Sequence, residues 1–388
     1  MEDRVARAAL TWLTEPGNRT VWSLVQESGA PAALERLLAG DVPDRRLRAT
    51  VAARAVAGDA RRIAEAALLR AERLGARLVV PSDSEWPARL TDLATLELDT
   101  SGRINHDIRP PLCFWVRGEW QLGATLERSI AIIGARAATE YGVNVTGDLA
   151  YSVTSEGWTV LSGGAFGIDA AAHRGALAAD GRTVAVLACG VDRPYPAGNS
   201  ALLERVAETG LLISEWPLGS DPLRHRFLIR NRVIAAATAG TVVVEAAARS
   251  GATQTMNRVL ALGRPAMVVP GPVTSAMSVG CHEILRCNPY ARIVTSAREI
   301  LEEVGRIGEY LADPPRGPER RHDRLDEESA LVLEAMPGNR SSTPERIAAE
   351  ARLPLRTVLR RLSLLEISDL VVRAGDGYAL RYARSTDG

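Results

Sequence analysis

The chain contains no lysine: all 47 of its basic residues are arginine. Any grip on phosphate must therefore come from guanidinium groups, whose planar fork holds two oxygens at once. Abundant alanine, glycine and proline accompany this bias and point to GC-rich coding, so a single arginine carries less meaning than usual. Acidic residues also number 47, and with a net charge of zero no global basicity advertises a nucleic-acid partner; such a site has to come from local clustering. Cys113, Cys189, Cys281 and Cys287 are scattered without a C-x-x-C, which excludes a zinc ribbon or a redox pair. Cys281-His282 with Cys287 reads as free thiols near a core, and neither a metal nor a cofactor is expected. No apolar run approaches the length of a bilayer span, and the start MEDRVARAALTWL, acidic and broken by Pro16, does not fit a signal peptide. A soluble, reducing, cytoplasmic setting without membrane contact is the expectation. The absence of a G-x-G-x-x-G with a downstream acid argues against a dinucleotide-dependent enzyme.

What is present is a repeated strand-to-helix pattern over residues 129–273, the signature of a mostly parallel α/β sheet. In SIAIIGARAATEYG, Ile130 to Ile133 suit a buried strand, Gly134-Ala135-Arg136 makes the turn and Thr139 caps the next helix. In WTVLSGGAFGIDAAAHRGAL, Val160 and Leu161 close a strand, Gly163, Gly164 and Gly167 loosen the turn, and Ile168 opens a helix. TVAVLACGVDRPYP, GLLISEWPLG, TVVVEAAARSGATQTM and PAMVVPG continue the series, and ARIVTSAREILEEVG supplies a last strand and a closing helix. Such turns gather unpaired N–H groups and positive helix ends at one sheet edge, where anions bind.

With 388 residues, two or three domains are expected. Residues 1–76 read as a small helical domain, and residues 77–308 carry the sheet, with short added strands near Leu78–Val80 and Cys113–Val116. Trp86, Trp115 and Trp120 read as packing rather than a base-stacking platform. Residues 309–324, rich in proline and charge, read as a linker. Residues 325–384 run helix, helix, helix, hairpin, the order of a winged helix, with Arg356, Arg360 and Arg361 at helical spacing. A dimerisation or protein-contact role suits that segment equally well.

The densest basic cluster is PLRHRFLIRNR, which holds Arg224, Arg226, Arg230 and Arg232. Phe227, one of only three phenylalanines, stands among them and either offers a face for a base beside cations for phosphates or belongs to the core, with some of the arginines bridging to Asp169, Glu215 or Glu245. Arg224 and Arg226 are expected to contact ligand, whereas Asn231 and Arg232, running into RVIAAAT, suit a structural role. Ser250-Gly251 opens another N–H-rich turn after Glu245, a carboxylate that either acts on a nucleotide sugar or orients Arg230 or Arg232. Asp169 and His173 share a helix face and are expected to form an internal hydrogen-bonded pair, since no nucleophile is spaced to use them.

Seven motifs in order, IAIIGARAATEYG, VLSGGAFGIDAAAHRGAL, VAVLACGVDRPYPAGN, ISEWPLG, FLIRNRVIA, VVVEAAARSGATQT and VVPG, resemble the DprA/Smf DNA-processing proteins over about Leu78 to Val304. The resemblance implies a Rossmann-like domain flanked by a small helical (SAM-like) domain and a winged-helix-like domain. It implies a non-enzymatic, dimeric protein that binds single-stranded DNA and loads the RecA recombinase in natural transformation. The resemblance carries over Gly134, Ala135 and Arg136, the loop residues Ser162, Gly163, Ala165, Gly167 and Asp169, and Arg224 with Phe227. With the residues read above, the expected DNA-binding set is Gly134, Arg136, Ser162, Gly163, Gly164, Gly167, Arg224, Arg226, Phe227, Arg230, Ser250 and Gly251, supported by Asp169, His173, Asn231, Arg232 and Glu245. Ala135 stands where the family has serine, Leu228 where it has proline, and SVGCHEIL blurs a further motif. The competing expectation is a nucleotide phosphoribohydrolase of the lysine-decarboxylase-like group with Glu245 as acid/base. Its G-G-x-G-T-x-x-E signature survives only as TAGTVVVE.

Overall fold

The computed structural model describes residues 2–96, 108–311, 325–338 and 340–381. The chain divides into two compact units, residues 1–312 and 313–388. The expected linker lies, from residue 312 onward, outside the described residues.

Nine strands build the sheet of the first unit: β1 (Ala76–Val79), β2 (Phe114–Arg117), β3 (Ser129–Ile133), β4 (Thr159–Ser162), β5 (Thr183–Leu187), β6 (Leu211–Ser214), β7 (Gly240–Val243), β8 (Ala266–Val268) and β9 (Ala291–Ile293). Their spatial order is β1-β2-β6-β5-β4-β3-β7-β8-β9. From β6 to β9 every pairing is parallel, while β2 pairs antiparallel with β6 and with β1. The β-branched runs are buried on both faces, as a parallel sheet between helices requires. Succession runs outward from β3 through β4, β5 and β6 on one side, and through β7, β8 and β9 on the other. The order therefore reverses between β3 and β7, and such a reversal opens a crevice at the carboxyl ends of the two strands.

The N-terminal helices Glu2–Leu13, Arg19–Leu38, Arg45–Val56 and Ala60–Arg73 have no core of their own. Leu10, Leu13 and Leu34 share one hydrophobic cluster with Leu78, Trp115, Ala185, Leu187 and Leu212 of the sheet. The residues between these in the strands, Val79, Phe114, Val116, Val184, Val186 and Ile213, point to the other face and pack with the helix Arg224–Ala237. The helices of residues 1–76 thus cover one face of the sheet as a layer. Their helical periodicity was readable, whereas the two-residue alternation that receives them shows only once the strands are paired.

In the second unit, helices Glu327–Glu334, Pro344–Ala351 and Leu355–Ile367 precede an antiparallel hairpin of β10 (Val371–Ala374) and β11 (Gly377–Leu380). Val332, Ile347, Val358, Leu362 and Tyr378 form its core. Ser342 bridges to Tyr378, so the chain before the second helix adds a short third strand position.

Candidate nucleic-acid interface

The crevice at the strand-order reversal is a cleft of about 880 Å³. The turn after β3, the turn after β7 and the start of the helix Arg224–Ala237 supply its walls, including Gly134, Arg136, Arg224, Phe227, Arg230, Asn231, Ser250 and Gly251. Close backbone approach explains the first turn: a Cβ on Gly134 would lie 2.8 Å from the Glu245 carbonyl oxygen and 2.6 Å from Ile168 Cγ1. Thr139 caps the following helix by accepting from Gly142 N at 3.2 Å, and its own N–H and hydroxyl donate to Glu245 at 2.9 and 2.6 Å. Ser250 caps the helix Gly251–Ala261, accepting from Thr253 N at 3.3 Å. The start of the helix Gly251–Ala261 therefore lines the cleft with its positive end, whereas the start of the helix after β3 is answered by the Glu245 carboxylate.

Five charged side chains line the cleft, Arg136, Arg224, Arg230, Arg249 and Asp169. Arg136, Arg224 and Arg249 are exposed and form no ion pair among the described residues. Arg136 lies 5.1 Å over the Phe227 ring, and Tyr195 faces the same ring at 5.8 Å with a tilt of 56°. Beneath them Arg230 is buried, donating to the carbonyls of Gly163 at 2.7 Å and of Val186, and to Asn231 Oδ1 at 3.1 Å. Burial pushes its guanidinium down to about 10, opposed by the charge of Asp169. Asp169 is itself raised by burial, against the pull of Arg230, and accepts from Ala165 N at 3.3 Å. The cleft thus presents an aromatic face beside exposed guanidinium groups that make no ion pair among the described residues.

The profile of the family described as DNA recombination-mediator protein A matches residues 77–305. A putative DNA processing protein DprA of Mycobacterium tuberculosis is 43% identical to the chain over 391 residues, 98% of this chain and 97% of its own length. The chain belongs to the DprA/Smf family. Protein Smf of Escherichia coli K12 is 32% identical over 77% of this chain and 76% of its own. The X-ray structure of DNA processing protein A from Streptococcus pneumoniae superimposes with a TM-score of 0.63 at 26% identity, covering 79% of this chain and 98% of that one. The mostly parallel α/β fold expected from the sequence agrees with that match.

Not every residue of the expected DNA-binding set reaches the cleft. Arg226 is turned away: it is buried against Trp216 and donates to Glu15 at 2.8 and 3.1 Å. Glu15 also accepts from Trp216 Nε1 at 2.8 Å and Arg54 at 3.1 Å, so the expected DNA contact is instead a clasp between the N-terminal helices and the arginine-rich helix. Both Arg224 and Arg226 lie inside that helix rather than upstream of it, and successive helical positions point in different directions. Ser162, Gly163 and Gly164 are buried under the cleft. The Ser162 hydroxyl donates to Ile132 O at 2.6 Å, and a Cβ on Gly163 would run into the Arg230 guanidinium at 2.5 Å. Gly167, at φ 73°, lets Ala135 O and Arg136 O approach within 2.5 Å of where its Cβ would stand, so it shapes the Arg136 turn without lining the cleft.

The supporting residues also sort by contact. Arg232 is fully buried and bidentate on Glu215 at 2.5 and 2.7 Å, in keeping with a structural role, and it donates to Arg109 O at 3.0 Å. His173 does not pair with Asp169. Its Nδ1 meets Thr183 Oγ1 at 2.7 Å, and burial drives its pKa down to about 3, aided by the Arg230 charge. Glu245 reaches neither Arg230 nor Arg232; it is buried with both oxygens held by Thr139. Sequence reading missed Tyr195 and Arg249. Arg249, in the left-handed region at φ 57°, stands one residue before the Ser250 cap, a strained position that the arginine itself did not announce.

Proposed function

We propose that this chain binds single-stranded DNA in the cleft between β3 and β7 and, as a homodimer, delivers it to the RecA recombinase during DNA uptake and recombination. The observation that carries this reading is the trio Arg136, Arg224 and Phe227 at one opening, two guanidinium groups without acidic partners beside an aromatic face. Backbone contacts of this kind are blind to sequence and sensitive to salt, and base stacking selects an unpaired strand over a duplex. No helix of the described residues is long and apolar enough to cross a membrane, which suits a partner of DNA and recombinase in the cytoplasm. A hydrolytic role for Glu245 is not favoured, because a buried carboxylate with both oxygens occupied has no path to a nucleotide sugar.

Anisotropy titrations of labelled single-stranded and duplex DNA across a salt series test the reading. Tight, salt-sensitive binding of the single strand, weakened by Arg136→Ala and by Arg224→Ala at every sequence, supports it. Equal affinity for duplex, or unchanged binding in both variants, overturns it.

A further inference from the structure

Two of the three phenylalanines of this chain are not fully buried, although Phe227 packs with one side against Ala188, Trp216 and Ile229. Phe114 is fully buried, but Phe227 faces the cleft and Phe166 is 49% exposed on the loop that follows β4. Exposed phenylalanine is uncommon, and its position here is fixed by its neighbours. Asn199 donates to the carbonyls of Gly164 and Ala165, at 3.0 Å each, and so ties the loop after β4 to the loop after β5. Across that tie the Phe166 ring lies against Gly198, where a Cβ would stand 3.0 Å from its edge atoms. The β5 loop also carries Tyr195, 44% exposed and 5.8 Å from Phe227. Ala165, next to Phe166, and Tyr195 both line the cleft. Tyr195 and Phe166 thus stand on the loops after β5 and β4, neighbouring strands at the carboxyl edge of the sheet.

We infer that Phe166 is a second base-stacking station, so that a single strand leaving the cleft past Phe227 and Tyr195 continues over the β4 and β5 loops. The inference rests on the proposed DNA-binding role of the cleft. Its chemistry is that of a stacking platform: a half-exposed ring offers a π-face to any base and makes no phosphate contact. Phe166 therefore contributes affinity without contributing to salt dependence, unlike Arg136 and Arg224. It also contributes only when the strand is long enough to reach it.

The test uses the full chain with oligothymidylates of about 4 and about 20 nucleotides, the short one spanning little more than a cleft-sized site. Phe166→Ala is expected to weaken the longer strand about five- to tenfold and the shorter less than about twofold, with an unchanged salt slope. Phe166→Leu, which keeps an apolar contact with Gly198 but removes the flat face, behaves like alanine, and Phe166→Tyr restores wild-type binding. Unaltered affinity for the longer strand in both the alanine and leucine variants refutes the station, as does an equal loss at the two lengths. Phe227→Ala separates the two ideas. It weakens both strands if the cleft holds DNA, and if it weakens neither, the cleft reading itself fails.

Discussion

Two arginine-rich surfaces of this chain differ in whether their charge is answered. At the carboxyl edge of the sheet, Arg136, Arg224 and Arg249 have no acidic partner among the described residues. On the third helix of the C-terminal unit, Arg361 reaches Asp326 at 3.0 Å and Glu328 at 2.6 Å, and Arg360 reaches Glu328 at 3.4 Å. The sequence shows similar cation density in the two places. What separates them is that Asp169, the carboxylate lining the first surface, is buried beneath the exposed guanidinium groups, whereas the first helix of the C-terminal unit and its cap bring Glu328 and Asp326 to the other. The two surfaces therefore differ in whether charge is left uncompensated around an apolar ring, not in the number of arginines.

The sharpest way to break this contrast is to strip the first surface. Arg136→Ala combined with Arg224→Ala is expected to lower single-strand affinity by roughly 100-fold at moderate salt and to flatten the logarithmic salt slope by about 1.4, the value for two lost phosphate contacts. Anisotropy across a salt series measures both. A slope that stays at the wild-type value means that the two guanidinium groups do not touch phosphates.

Next in size is the clasp that holds the first surface in place. Glu15 is shielded by burial, which alone would raise its pKa, but hydrogen bonds from Arg226 and Trp216 hold it below the usual carboxylate value. Glu15→Gln keeps the shape but removes the charge facing Arg226, and is expected to cost about 1–3 kcal/mol of stability, discounted for the partial exposure of the pair. Denaturant melts check this. The carboxyl has a depressed folded-state pKa, so its contribution is present above the unfolded value near 4.5 and is lost as pH falls through the folded one.

A third expectation concerns His173, whose pKa burial pushes down to about 3. The native state resists protonation that the unfolded chain accepts from about 6.5 downward, so stability is full above that pH. Below it stability falls by up to about 1.4 kcal/mol per pH unit, a decline that ends near pH 3. His173→Asn, which keeps a polar group beside Thr183, is expected to flatten that acid limb relative to wild type at the cost of some stability at neutral pH. Identical acid limbs in the two proteins would show that another group governs the decline.

Much of the cleft was legible because its parts are local. Gly134-Ala135-Arg136 and Ser250-Gly251 are turns between a strand and a helix, and the motif order placed both at one sheet edge. What escaped depends on residues far apart in the chain. Arg226 looks like its neighbour Arg224 until Glu15, 211 positions earlier, is brought to it. Tyr195 and Phe166 sit on loops of different strands, and only the adjacency of β4 and β5, fixed by the Asn199 tie, sets them along one edge. The N-terminal helices were readable as helices, but the apolar face they cover belongs to strands up to about 200 residues downstream.

The smallest effect is expected at the second surface, and it tests the contrast from the other side. Arg360 makes a 3.4 Å contact with Glu328, and both side chains are largely exposed. Arg361 is more buried and bound twice, so removing it would disturb packing as well as charge. Arg360→Ala therefore isolates the charge: stability should change by less than about 0.5 kcal/mol, and single-strand affinity by less than about twofold. A larger loss of affinity, with a flatter salt slope, would mean that DNA displaces Glu328 from this arginine. Pairing with a neighbouring carboxylate would then no longer separate structural from DNA-binding arginines in this chain, and Glu328→Gln would be expected to strengthen binding by freeing the same guanidinium.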